Sequence, residues 1–283
     1  MRNIKTLFFF VLAPLFCISQ NTIFWKVTSP KTQKVSYLLG TYHIIGNAFI
    51  DSLPVIKEKL MAAELAAFET PLERDKIAAA YNARTGSDEI YKILSKEDVD
   101  FIKMMTASAK VDVTKYTPGE IFAKVQAYYP TYMCGITNSK DTWQRMDEYL
   151  IDVAKTANKK MHYFENDLQQ MEELGNFTKV IDWKFFKTNI KAVLDKYKKP
   201  VDQKSCELSV QYRTFNLDYN FNGECQSDIL LKNRNDKWMQ QLPALLDNNN
   251  CFIAVGLLHY FNKCGVIEQL RKLGYTVEPV SLQ

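Results

Sequence analysis

Val35-Ser-Tyr-Leu-Leu-Gly-Thr-Tyr-His43, near the start of the chain, and Cys251-Phe-Ile-Ala-Val-Gly-Leu-Leu-His259, near its end, share one plan. Each is an apolar run of strand length that stops at a glycine, Gly40 or Gly256, with a histidine three residues on. Such runs suit strands buried on both faces. A glycine at the strand end permits a sharp turn or a close approach of another group. The chain has only 3 histidines, and two of them sit in this repeated setting.

The surroundings repeat as well. After His43, Ser52-Leu53-Pro54 starts a helix that should run to about Ala63, and Leu65 to Glu69 reads as a buried strand closing on a carboxylate. After His259, a helix from about Gly265 to Leu273 ends at Gly274, and Thr276 to Val280 makes a last strand. Ile23 to Thr28 and Val35 to Leu39, split by Ser29-Pro30-Lys31, predict a hairpin.

Between the two copies the chain reads mostly helical, from about Leu72 to Leu246. Val99, Ile102 and Met105, then Ile121, Val125 and Tyr128, then Phe186, Ile190, Val193 and Tyr197 keep helical spacing. Trp143, Met146, Leu150 and Val153 follow the same step, and Trp238, Leu242, Leu245 and Leu246 form a stripe behind Asn235, read as a helix N-cap. One extended piece, Met161 to Phe164, closes on Glu165. The expected fold is α/β: a mixed sheet from a duplicated strand–Gly-x-x-His–helix–strand unit, with a large helical insertion between half-units at about 22–70 and 251–283. All of 20–283 is read as one domain.

Composition excludes several classes. At 47% apolar and 24% charged, 283 residues can bury a full core. The formal charge of +4 falls to about +2 without Arg2 and Lys5, and no basic run dominates, so no nucleic-acid partner is implied. Arg2 and Lys5, the apolar stretch Leu7 to Ile18, and Cys17-Ile18-Ser19 follow the pattern of a signal peptide over residues 1–19, cleaved before Gln20. Acylation of Cys17 is the alternative. No other apolar run reaches the ~18 residues of a membrane span, so export to the periplasm or the exterior is expected, with no span in the mature protein. Cleavage would leave Cys134, Cys206, Cys225, Cys251 and Cys264 in an oxidising compartment. Cys251 with Cys264 and Cys206 with Cys225 are candidate pairs, though spacing leaves connectivity open.

Histidines three residues beyond strand ends project into the crevice where open α/β sheets bind ligands. If the halves pack as a pair, His43 and His259 would face one site, with Glu69 and Glu165 on the same rim. Two imidazoles and a carboxylate would bind a divalent metal ion with open positions, and the ion would acidify a bound water. Strand-end histidines also serve as ordinary hydrogen-bonded structural residues, and His162, outside the repeat, is read that way. G-x-S-x-G, H-E-x-x-H, P-loop and G-x-G-x-x-G motifs are absent from the sequence.

Tyr37 to His43, Leu53-Pro54 and Phe68-Glu69 resemble the opening of the TraB/GumN family, which includes the animal TIKI proteins. Met146-Asp147, Phe164-Glu165 with Gln170, Arg234-Asn235 with Trp238-Met239, and Phe252 to His259 with Gly274 to Val277 resemble its later motifs in order. The resemblance implies a duplicated α/β unit with both Gly-x-x-His motifs at one site. For the TIKI branch it implies manganese- or cobalt-dependent proteolysis of a peptide or protein substrate. Carried over residue by residue, the site would be His43, Glu69 and His259 as metal ligands, and Glu69, Glu165 and Arg234 as catalytic groups. Asp147, Asn235, Gly40 and Gly256 would stand behind them. The family often continues His-Leu-Pro-Gly after the second motif, where this chain has His259-Tyr260-Phe261-Asn262. The rival readings are a peptide-binding protein without catalysis and an esterase-like hydrolase on the same fold.

Overall fold

The structure, a computed structural model, describes residues 22–282; the signal-peptide reading lies outside the described residues. Six strands form one sheet: β1 (Phe24–Thr28), β2 (Val35–Thr41), β3 (Leu65–Phe68), β4 (Lys160–Tyr163), β5 (Cys251–Gly256) and β6 (Thr276–Pro279). Their order is β4-β3-β5-β2-β1-β6. β1 runs antiparallel to both neighbours, β2 and β6, and every other pairing is parallel. The sheet is therefore mixed, as the sequence predicts. β3 and β5, two of its four inner strands, are buried at every position, which is why they read as unbroken apolar runs.

Register brings the repeated motifs side by side. β2 and β5 are parallel neighbours, with Gly40 opposite Val255 and Thr41 opposite Gly256. Both histidines thus leave the sheet at one edge, a single step apart. The chain departs β2 past β5 to reach β3, and departs β5 past β2 and β1 to reach β6. Adjacent strands whose connections diverge leave a crevice beyond their carboxyl ends. The site lies there.

A helix at Pro54–Ala62 begins with proline in its first turn. A short helix ahead of it, Asn47–Asp51, goes unread in the sequence because five residues carry too little periodicity. The Asn47 side-chain oxygen fastens it by accepting from the Thr142 and Trp143 N–H groups at 2.9 and 2.8 Å. The helical middle builds an apolar cluster of its own from Val99, Ile102, Ile121, Val125, Phe186 and Ile190. Met146 and Leu150 pack instead with Leu38, Phe68 and Phe252 on the sheet. Among the described residues no helix is long and apolar enough to cross a membrane.

Two expectations are overturned. The disulfides join Cys134 to Cys206 and Cys225 to Cys264, and Cys251 is a buried free thiol. Cys251 opens β5 and Cys264 follows its far end; six extended residues separate the two ends by about 20 Å, beyond any disulfide. Asn235 is not an N-cap. It lies inside the helix Asn233–Trp238, buried, and a second helix, Leu242–Asn248, carries the rest of the stripe.

Candidate functional site

The β3–β4 ladder continues past the strand ends: the Phe164 N–H donates to Phe68 O, and the Glu165 N–H to Glu69 O at 2.9 Å. Parallel pairing therefore sets Glu69 and Glu165 beside each other. Arg234 lies between them. Its Nη2 donates to Glu69 Oε2 at 2.6 Å and its Nε to Glu165 Oε1 at 3.0 Å. Its Nη1 meets His259 Nε2 at 3.1 Å and the Leu230 carbonyl at 3.2 Å. Glu173 Oε2 is 3.3 Å from Nε, and the guanidinium lies over the Trp238 ring. The Trp238 indole N–H donates to Glu165 at 2.7 Å.

The bonds around His259 determine its tautomer. Asn235 Nδ2 donates to the carbonyls of His259 and Cys264 at 3.1 and 2.9 Å, so Asn235 Oδ1 must accept. Oδ1 lies 2.6 Å from His259 Nδ1, which therefore carries the proton and leaves Nε2 to accept from Arg234. Burial disfavours the charged ring, and Arg234 adds to that, so the His259 pKa falls to about 3. His259 is a neutral, fully bonded histidine.

His43 differs. Its Nδ1 is 2.7 Å from Asp147 Oδ2, and Asp147 Oδ1 accepts from Thr41 Oγ1 at 2.7 Å. Desolvation in the crowded crevice disfavours charge here too, but the Asp147 carboxylate outweighs it and raises the pKa to about 9. The two repeated histidines thus have opposite electrostatics, because one partner is a carboxylate and the other a carboxamide.

Glu69 connects them. Its Oε1 accepts from the Gly256 N–H at 2.6 Å and lies 3.8 Å from His259 Nε2, and its Oε2 also accepts from Gln170 Nε2 at 3.0 Å. Burial opposes its ionisation, yet Arg234, His43 and the Gly256 N–H hold its pKa well below the usual carboxylate range. A Cβ on Gly256 would stand 2.9 Å from His43 Nε2 and 3.0 Å from Glu69 Oε1. Those two atoms therefore converge on the space that this glycine leaves open. The glycine serves close approach, not an unusual turn, since Gly256 has φ −52°.

A cavity of about 90 Å³, open to solvent, ends on this corner. His43, Glu69 and Asp147 line it together with Arg145, Gln170, Thr70 and the apolar Phe68, Leu72 and Ile151. Arg234, Glu165, His259 and Asn235 are in the same bonded network but behind Glu69. Gly40 is behind the site as well: a Cβ there would meet Leu257 Cδ1 at 2.7 Å.

Sequence reasoning did not single out Thr41, Thr70, Arg145 or Glu173. Gln170 and Glu173 stand three apart on the helix Asp167–Thr178, so helical spacing carried a usable signal once Gln170 was noticed. Arg145 and Thr70 carry no such mark; only the fold brings them to the cavity.

Among the described residues no three His, Cys, Asp or Glu side chains already surround one ion position. The corner still offers two donors, Glu69 Oε1 and, once an ion displaces its proton, His43 Nε2. A carboxylate-backed imidazole is the usual form of a metal-binding histidine. The buried or half-buried carboxylates Glu69, Asp147, Glu165 and Glu173 outnumber Arg234 and His43. Two protein donors would leave most of an ion's shell to water, the pattern by which Mg²⁺ is usually held. His259, whose Nε2 accepts from Arg234, offers no free nitrogen in this arrangement.

No curated protein matches the chain. The TraB/PrgY/gumN family model matches residues 23–279, which include every strand and every site residue described above. The chain belongs to the TraB/PrgY/gumN family.

Proposed function

We propose that the protein is an exported, metal-dependent hydrolase that cleaves peptide bonds in peptides or unfolded N-terminal segments. The observation that carries this reading is the corner at Gly256, where His43 Nε2 and Glu69 Oε1 converge on the floor of a solvent-reached cavity. His43 and Glu69 would hold the divalent ion, manganese or cobalt. When bound, the ion would polarise the carbonyl and acidify a water.

Asp147 anchors the His43 ring through Nδ1 so that Nε2 faces Glu69. Arg234, Gln170 and the Gly256 N–H fix the Glu69 carboxylate and keep it ionised. Arg234 directs its donors at Glu69, Glu165 and His259, so it acts here as a positioning residue and not as a direct partner of the substrate oxygen. Glu165 and Trp238 brace Arg234 in turn. Phe68, Leu72 and Ile151 add an apolar wall to the cavity, against which apolar parts of a peptide would rest. The two disulfides support the export part of the reading, since such bonds persist in oxidising compartments.

Titration calorimetry with Mn²⁺ on wild type, His43→Ala, Glu69→Gln and His259→Ala tests the site, with a peptide library followed by mass spectrometry testing the reaction. We expect wild type to bind the ion and cut peptides, and His43→Ala and Glu69→Gln to lose both. Wild-type affinity in His43→Ala would remove the ion from this corner. Peptides captured but uncut with either metal would make the protein a binder.

A further inference from the structure

We propose that Arg145 makes the cavity a receptor for a carboxylate on the substrate, placed beside the bond at the His43–Glu69 corner. The inference rests on the hydrolase reading for the location of that bond. Arg145 lines the cavity, yet among the described residues its guanidinium donates no hydrogen bond. Its nearest carboxylate, Glu148, is 4.0 Å away and is already held by Arg74, whose Nε donates to it at 2.8 Å. Every other described arginine is engaged: Arg74 with Glu148, Arg84 with Glu120, Arg213 with backbone carbonyls, Arg234 with the two site glutamates, and Arg271 with Glu268. The exception is the one on the cavity wall.

The remaining charges on that wall are already matched. Asp147 is paired with His43, and Glu69 with Arg234, so an entering anion meets Arg145, whose ion-pair contact among the described residues is the 4.0 Å approach to a Glu148 already bonded to Arg74. Thr70, 1% exposed on the same wall, has a hydroxyl without a hydrogen-bond partner. Phe68, Leu72 and Ile151 line the same cavity and give it an apolar surface for an aliphatic side chain. A planar guanidinium suits a carboxylate because two parallel N–H···O bonds form at once. The carboxylate is either the chain terminus of the peptide or an Asp or Glu side chain; both present the same two oxygens.

Calorimetric binding of three probes to the Mn²⁺-loaded protein separates these cases: Ala-Ala-Ala as the free acid, the same peptide as its C-terminal amide, and Ala-Glu-Ala amide. At least one carboxylate probe should bind about tenfold or more tighter than the neutral amide, and the better of the two names the source. Arg145→Gln should bring that probe down to the level of the neutral amide while leaving the neutral amide unchanged. Arg145→Lys should recover only part of the difference. Thr70→Val, which removes an unpartnered buried hydroxyl, should weaken binding without lowering the melting temperature. Equal binding of acid and amide, binding of none, or an equal loss for all probes in Arg145→Gln overturns the proposal. Carboxylate preference without cleavage would sink the hydrolase reading and leave Arg145 in place; cleavage without preference would do the reverse.

Discussion

Arg234 and Glu69 are 165 positions apart in sequence and 2.6 Å apart in space, both nearly buried. The bond ties the helix Asn233–Trp238 to the end of β3 and points the Glu69 carboxylate at Gly256. Lysine cannot address Glu69, Glu165 and His259 together, since it lacks the fork. Arg234→Lys should cost roughly 3 kcal/mol, read by urea unfolding. Combined with Glu69→Gln, the loss should be clearly less than the sum of the single variants. Additive losses would show that the two residues are not coupled.

Asp147→Asn should leave the fold intact but free the His43 ring from its anchor. Partners of this kind typically contribute 10–100-fold to metal affinity, so Mn²⁺ binding should weaken by about that factor. Unchanged affinity would separate Asp147 from the ion site. Asn235→Asp attacks the other half: its new oxygen would face the carbonyls of His259 and Cys264, which now accept from Nδ2. Losing those bonds should cost about 2 kcal/mol of stability, visible as a lower melting temperature.

The two motif glycines should respond differently to alanine. At Gly256 the new Cβ would fill the corner between His43 and Glu69, where the His43 ring can move aside. Ion binding should vanish, with some loss of stability as the pinned Glu69 carboxylate, 3.0 Å from the new Cβ, is pressed. At Gly40 the Cβ would press on the side chain and backbone of Leu257, so Gly40→Ala should destabilise the sheet itself. Calorimetry and thermal melting on the same two proteins distinguish the outcomes.

Acid should loosen the helical middle through Asp98. Burial of Asp98 opposes ionisation, but hydrogen bonds from Ser95 and Lys191 and the nearby charge of Lys198 win, so its pKa is lowered in the folded chain. A lowered folded pKa means stability that is present above the unfolded value and is lost as pH falls through the folded one. Asp98→Asn should therefore melt lower at neutral pH, by on the order of 2 kcal/mol, and approach wild type near the acid end. Parallel melting curves at every pH would exclude Asp98 as the source.

The strands were legible because burial on both faces leaves an unbroken apolar run, and β3 and β5 have one. The placement of His43 and His259 was legible because a repeated setting in sequence became adjacent parallel strands in space. Partners reached across the fold were not. Asn235 at the head of an apolar stripe gives the ordinary signal of a helix cap, but the carbonyls of His259 and Cys264 draw its side chain inward. The pairing of Cys225 with Cys264 depends on where the chain goes after β5, which local spacing does not encode. Arg145 reads as any surface arginine until the fold sets Arg74 on Glu148 and leaves Arg145 over the cavity.

The Cys225–Cys264 bridge closes a loop of sequence that contains Arg234, Asn235, Trp238, Gly256 and His259. Of the groups behind Glu69, Arg234, Asn235, Trp238 and His259 are inside that loop, while Glu165 and Glu173 come from the helical middle. Thiol reductant in a purification or assay buffer would therefore open the clamp around these groups while leaving the hairpin of β1 and β2 untouched. Material made in a reducing cytosol would look folded by its strands and yet be slack where the chemistry is expected. Assays belong on protein matured in an oxidising host, in buffers free of thiols.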